Sequence, residues 1–134
     1  MKPTHSPPVL PSVFVSHGSP MIAIEPGAAG AFLRRLGPAL DHAFTRPRAI
    51  VAVSAHSLTR EPVLLAAARH ETVHDFGGFP DELYRLRYDA RGAPELATRI
   101  GTLLAAAGLP SHAVDQGLLL IEDALDIGRL ETGG

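Results

Sequence analysis

The chain has 134 residues, 46% of them hydrophobic and 19% charged, enough to bury a core and consistent with one domain or a piece of one. A formal net charge of −2 with scattered basic residues gives no stripe for nucleic acid and no patch for an anionic membrane, so neither is expected as a partner. The absence of cysteine excludes a disulfide scaffold, a thiolate metal site and a cysteine nucleophile.

Residues 1–11 are proline-rich and read as a loose arm; they lack the apolar stretch of a signal peptide. No apolar run approaches the roughly 18 residues of a membrane helix, so a cytoplasmic protein is expected. The apolar run Val13-Phe14-Val15 predicts a strand over 12–16, leading into the turn Ser16-His17-Gly18-Ser19-Pro20. Ala31, Leu33, Leu36 and Leu40 recur near helical spacing and predict a helix over 27–43. Arg46-Pro47-Arg48 ends it, and Ala49-Ile50-Val51-Ala52-Val53 predicts a second strand over 48–54 that delivers Ser54-Ala55-His56-Ser57.

Residues 62–68 suggest a third strand, and 70–80 a loop containing His74-Asp75-Phe76-Gly77-Gly78-Phe79-Pro80. Asp81 suits a helix start, with Leu83, Tyr84 and Leu86 behind it. Pro94 opens a helix to about Ala107 with Leu96, Ile100, Leu103 and Leu104 on one face, and Gly108 is its natural terminator. Residues 111–114 are strand-like. This alternation argues for an α/β layer structure.

Two histidines stand out. His17 and His56 each follow an apolar run where a strand gives way to a turn, and ligands collect at such strand ends in open α/β sheets. One strand-helix-strand excursion separates them, so adjacent strands would present two imidazoles together, half of a metal site. The alternative is a pair of turn histidines bonded to nearby carbonyls. Ser16 and Ser54, beside them, suit orientation of the rings; the Gly-x-Ser-x-Gly elbow of serine hydrolases is absent. Nucleotide-binding Gly-rich loops and His-Glu-x-x-His are absent too. His74 and Asp75 open a loop in which Phe76 and Phe79 either wall an aromatic pocket or plug the core. His5, His42, His70 and His112 read as surface residues.

The stretches 13–20, 49–56 and 74–80, with Glu82-Leu83-Tyr84, Tyr88 and Pro94-Glu95-Leu96-Ala97, together resemble the N-terminal half of the class III extradiol ring-cleavage dioxygenases. Within that LigB-like superfamily they are similar to the 4,5-DOPA extradiol dioxygenase-like proteins. The resemblance covers residues 12–117. It implies a three-layer α/β/α fold with a mixed, largely parallel central sheet, incomplete here relative to the family. It also implies a non-haem Fe(II) centre, often holding Zn(II), that opens catecholic rings with O₂. His17 and His56 match metal ligands of the family, and His74, Asp75, Ser16 and Ser54 are candidate neighbours of the active site. Where the family continues with an Asp-His-Gly segment bearing its acid/base histidine, this chain has Asp115-Gln116-Gly117. The acid/base residue is therefore left unassigned, and the chain reads as truncated. Residues 118–134 are expected to be a divergent tail, either a short amphipathic helix or unrelated sequence. A half-fold with open strand edges points to a homo-oligomer. The competing reading is a non-catalytic metal- or ligand-binding module that oligomerises through its unfinished sheet.

Overall fold

The structure is a computed structural model that describes Ser6, residues 8–121, Asp123 and Ala124. A short 3-10 turn, Pro20–Ala23, precedes helix α1, Gly27–Ala43. Strands β1 (Val63–Leu65) and β2 (Arg69–Val73) follow, then the single-turn helix α2 (Asp81–Tyr84) and β3 (Ala90–Arg91). Helix α3 (Pro94–Ala106), β4 (His112–Val114) and β5 (Leu118–Leu120) complete the order. No helix among the described residues is long and apolar enough to cross a membrane.

The fold class is α/β with mixed sheets. β1 pairs with β4 in parallel, Val63 opposite His112 and Leu65 opposite Val114. β2 pairs in parallel with β5, Glu71 opposite Leu118 and Val73 opposite Leu120, and antiparallel with β3, His70 opposite Ala90. The two parallel ladders are one interrupted pairing. Residues 62–73 run beside 112–120, and bridging bonds carry the contact between ladders: Ala66 N–H to Val114 (2.9 Å), Ala67 N–H to Gln116 (3.2 Å) and Glu71 N–H to Gly117 (3.0 Å). Parallel neighbours need a long crossover, and here it carries α3, which packs on β1 and β4.

Both long helices sit where their sequence places them. α1 lacks a side-chain cap and is held by packing of its inner face, where Gly30, Leu33 and Gly37 are buried. α3 has Pro94 in its first turn, where the missing N–H is harmless, and Ala97 buried with Leu96, Ile100 and Leu104 half-buried. Leu103, expected on that face, points outward and is 59% exposed. The helix closes through Gly108 N–H to Ala105 and Leu109 N–H to Leu104.

The expected strands over 12–16 and 48–54 are not strands. Neither run joins a ladder among the described residues, and their apolar side chains lie open, Phe14 97% and Val53 93% exposed. An apolar run has strand propensity, but a strand forms only where a neighbour takes its backbone hydrogen bonds. Residues 70–73, expected to lie in a loop, belong with Arg69 to β2 because β3 and β5 flank them on both sides. Leu118–Leu120, expected to open a divergent tail that is either a short amphipathic helix or unrelated sequence, is β5, and the backbone turns helical only from Ile121. The backbone of this run is taken up by pairing with β2, and burial rises along it from exposed Leu118 to buried Leu120. The remainder of the expected tail, Glu122 and residues 125–134, lies outside the described residues.

Candidate metal centre

The turn that presents His17 is built by its neighbours. Gly18 follows with φ +71°, a left-handed conformation that favours glycine, and lets the chain reverse directly after the imidazole. Ser19 then caps the 3-10 turn, its hydroxyl accepting from Met21 N–H at 3.2 Å. His56 is set by a comparable device: the Ser54 hydroxyl accepts from the His56 N–H at 3.1 Å, a local turn that fixes the backbone under the ring.

These two turns, 39 residues apart in sequence, bring the imidazoles face to face. The Nε2 atoms of His17 and His56 are 3.4 Å apart, and the rings stack with centroids 5.6 Å apart and planes inclined by 20°. His17 is half-buried and His56 exposed. The Nδ1 of His17 is buried with no hydrogen-bond partner among the described residues, so Nε2 is the polar atom this ring offers outward.

The spacing has chemical meaning. Two nitrogens bound at about 2.0–2.1 Å to one tetrahedral cation lie about 3.3–3.4 Å apart. The pair therefore fits two adjacent positions on a single metal ion. Among the described residues no third His, Asp or Glu joins them to make a set of three. His74 and Asp75 thus stand outside the pair, and Ser16, exposed, adds no hydrogen bond to it.

His74 has a different setting. It leaves the end of β2, and its Nε2 donates to the carbonyl of Leu86 at 2.7 Å. Its ring meets Phe76 edge-on at 6.0 Å and Tyr84 at 6.1 Å; Phe76 in turn contacts Phe79 at 5.2 Å and Tyr84 at 5.1 Å. Tyr84 donates its hydroxyl to the Phe76 carbonyl at 3.1 Å. The sequence marks the two phenylalanines for this loop but places Tyr84 only behind the helix start; the α2 turn brings its ring back onto the loop. Asp75 is exposed at the rim of this cluster.

Two other histidines depart from the surface role expected of them. His70 is half-buried on β2 with its Nδ1 unpartnered among the described residues. His112 meets Glu61 at 2.6 Å, an exposed pair that ties β4 to the residues before β1. This pair borders an open hollow of about 320 Å³ lined by Thr59, Arg60, Glu61, Val63 and His112, which none of the expected site residues line. The hollow is no rival to the histidine pair, since it is shallow and gathers one carboxylate already engaged by an imidazole.

An α/β fold that brings two imidazoles together from turns far apart in sequence defines a class of candidate metalloproteins. The family comparison narrows it. Residues 2–125 match the family described as the catalytic LigB subunit of aromatic ring-opening dioxygenase, and the chain belongs to that family. It is 45% identical over 96 residues to a 4,5-DOPA dioxygenase extradiol of Escherichia coli (strain K12), covering 72% of this chain and 34% of that protein. A 4,5-DOPA dioxygenase extradiol of Beta vulgaris is 39% identical over 104 residues, covering 77% and 38%. A 4,5-DOPA dioxygenase extradiol-like protein of Schizosaccharomyces pombe (strain 972 / ATCC 24843) is 28% identical over 151 residues, covering 92% and 50%. The chain thus spans between about a third and a half of the length of these curated relatives.

Proposed function

We propose that this chain forms the N-terminal part of an extradiol, aromatic ring-opening dioxygenase centre, in which His17 and His56 are protein ligands of a non-haem Fe(II) or of Zn(II) in its place. The reading is carried by one observation: two imidazole nitrogens from turns 39 residues apart meet at 3.4 Å, a separation that suits two ligands of one metal ion. Family membership and the named relatives supply the chemistry, a catechol-type substrate opened with O₂. A metal held by His17 and His56 would supply Lewis acidity toward a catechol and electronic coupling to O₂, chemistry that demands few protein ligands and open positions.

The chain's own residues contribute positioning. His17 and His56 offer Nε2, and Ser54 and Gly18 fix the turns beneath them. His74, with Nε2 committed to the Leu86 carbonyl, is a polar neighbour that can meet a substrate through Nδ1 only. Asp75 and Ser16 are the other neighbours in this reading. Residues 12–117 form the dioxygenase-like unit, preceded by the 1–11 arm. The cytoplasm is its compartment, a reducing milieu that keeps iron ferrous.

A second reading is a metal- or ligand-binding module that does not turn over, since two imidazole nitrogens set 3.4 Å apart can hold a cation without any redox chemistry. Anaerobic titration with Fe(II) and with Zn(II), wild type beside His17→Ala, tests the metal role. Saturable binding that the substitution weakens at least tenfold is expected. Equal, weak binding by both chains would remove the histidines from any metal role. The Fe(II)-loaded chain given L-DOPA and O₂ then separates the two readings: a ring-opened yellow product with oxygen uptake marks the dioxygenase, and its absence with metal bound marks the binding module.

A further inference from the structure

The two imidazoles are carried by different groups of elements. His17 leads into the 3-10 turn Pro20–Ala23, which packs against α1 and α2. His56 stands five residues before Glu61, where the chain runs into β1 and so into contact with β4 and α3. The 3.4 Å between their Nε2 atoms is therefore a registration between two parts of the fold. What fixes the arm bearing His56 to its own part helps to set that distance.

The contacts along residues 54–62 show how the arm is held. The Ser54 hydroxyl accepts from the His56 N–H at 3.1 Å, and the Thr59 hydroxyl donates to the Glu61 carbonyl at 2.7 Å, so local turns hold 54–56 and 59–61. Ser57 and Leu58 alone lie between them. The far end is gripped twice by one residue of β4. The His112 N–H donates to the Pro62 carbonyl at 3.0 Å, and its ring Nε2 donates to the Glu61 carboxylate at 2.6 Å. The next rung of this parallel ladder would need N–H groups from Pro62 and Pro110, and proline has none, so backbone pairing ends at His112. The side-chain pair takes over at that point and carries the grip one residue further toward His56.

Resting on the reading of His17 and His56 as metal ligands, we infer that Glu61 and His112 are positioning residues of the metal centre, a clamp that fixes the His56 arm to β4. Neither forms a ligand set of three with His17 and His56. The clamp acts through the backbone between Glu61 and His56. Its side chains are 66% (His112) and 42% (Glu61) exposed, which limits its strength to that of a surface ion pair, an effect of about two- to fivefold on metal affinity.

Zn(II) affinity, measured by competition with a chromophoric chelator, reads the clamp. Glu61→Ala should weaken zinc binding about two- to fivefold. Glu61→Gln, whose amide oxygen still accepts from the His112 ring, should stay closer to wild type. His112→Ala should match Glu61→Ala, and the double variant should lose no more than either alone, because the two side chains act as one link. Coupling is reciprocal, so zinc should slow hydrogen exchange at the His112 amide of wild type and should not do so in His56→Ala. Unchanged affinity in Glu61→Ala, additive losses in the double variant, or His112 exchange indifferent to zinc each overturns the clamp and leaves the metal-ligand reading standing. No saturable zinc binding by wild type overturns that reading and the clamp with it. The exchange measurement on wild type decides the matter even if Glu61→Ala does not fold.

Discussion

His74 spends its Nε2 on a backbone carbonyl, and because a carbonyl only accepts, that nitrogen carries the ring's proton. The bond fixes the tautomer and anchors the start of a loop whose aromatic rings pack on one another rather than on a strand. Phe76 is the hub, touching His74, Phe79 and Tyr84, while Tyr84 contributes one ring and one exposed hydroxyl bond. Ring packing should therefore outweigh the hydroxyl. Tyr84→Phe keeps the ring and should cost about 0.5–1 kcal/mol, the worth of a single solvent-competed hydrogen bond. Phe76→Ala forfeits several ring contacts, each worth about 0.5–1.5 kcal/mol, and should cost clearly more. Urea unfolding of the two variants checks the order, and equal losses would mean that the hydroxyl, not the stacking, holds the loop.

At the level of elements, the long parallel pairing of residues 62–73 with 112–120 depends on glycine where its two ladders meet. A Cβ at Gly117 would overlap the backbone carbonyl of Arg69, and one at Gly92 would overlap that of Ala67, neither of which can swing aside as a side chain could. Gly117→Ala should therefore pry β5 from β2 at a cost of at least about 1–3 kcal/mol. It should also speed hydrogen exchange at the Glu71 amide, which bonds to the Gly117 carbonyl at 3.0 Å. Gly77→Ala is the control: a Cβ there meets nothing, so stability should stay within about 0.5 kcal/mol or rise slightly. A Gly117→Ala protein with unchanged exchange at Glu71 would show that the ladder tolerates the methyl by shifting register. The same elements show what the sequence made legible. Helices α1 and α3 were readable almost to the residue, because helical period and the prolines and glycines at their ends are local signals. Strand pairing is not local. The runs at 12–16 and 48–54 look like strands yet lack a partner, whereas β2, β3 and β5 are strands because distant segments reach them. The meeting of His17 and His56 was readable because each follows an apolar run into a turn. The His112–Glu61 contact and the Leu86 carbonyl that holds His74 were not, since one depends on β1–β4 register and the other on a backbone atom.

For the molecule as a whole, burial and hydrophobicity part company. Among the described residues seven hydrophobic side chains are buried, three of them alanines, while fourteen large ones are exposed. Stability must then rest on a few positions. Leu83, fully buried in the single turn α2, and Ile121 are the largest of them. The 3-10 turn that follows His17 packs against α2 and α1, so this small core also carries the backbone beneath one of the two imidazoles. Leu83→Ala should cost about 2–5 kcal/mol, the loss of a leucine plus the cavity it leaves. Domains of this kind are stable by only about 5–15 kcal/mol, so the variant should unfold at much lower denaturant. It should also weaken binding of Zn(II) by the histidine pair as the His17 turn loosens. Phe14→Ala removes a larger side chain from a position in solvent and should leave the metal-free protein within about 0.5 kcal/mol of wild type. Denaturation of both variants without metal, followed by Zn(II) titration, measures the contrast. If Phe14→Ala proves as costly as Leu83→Ala in the metal-free protein, the run before His17 is covered in solution, and the exposure on which this contrast rests is wrong.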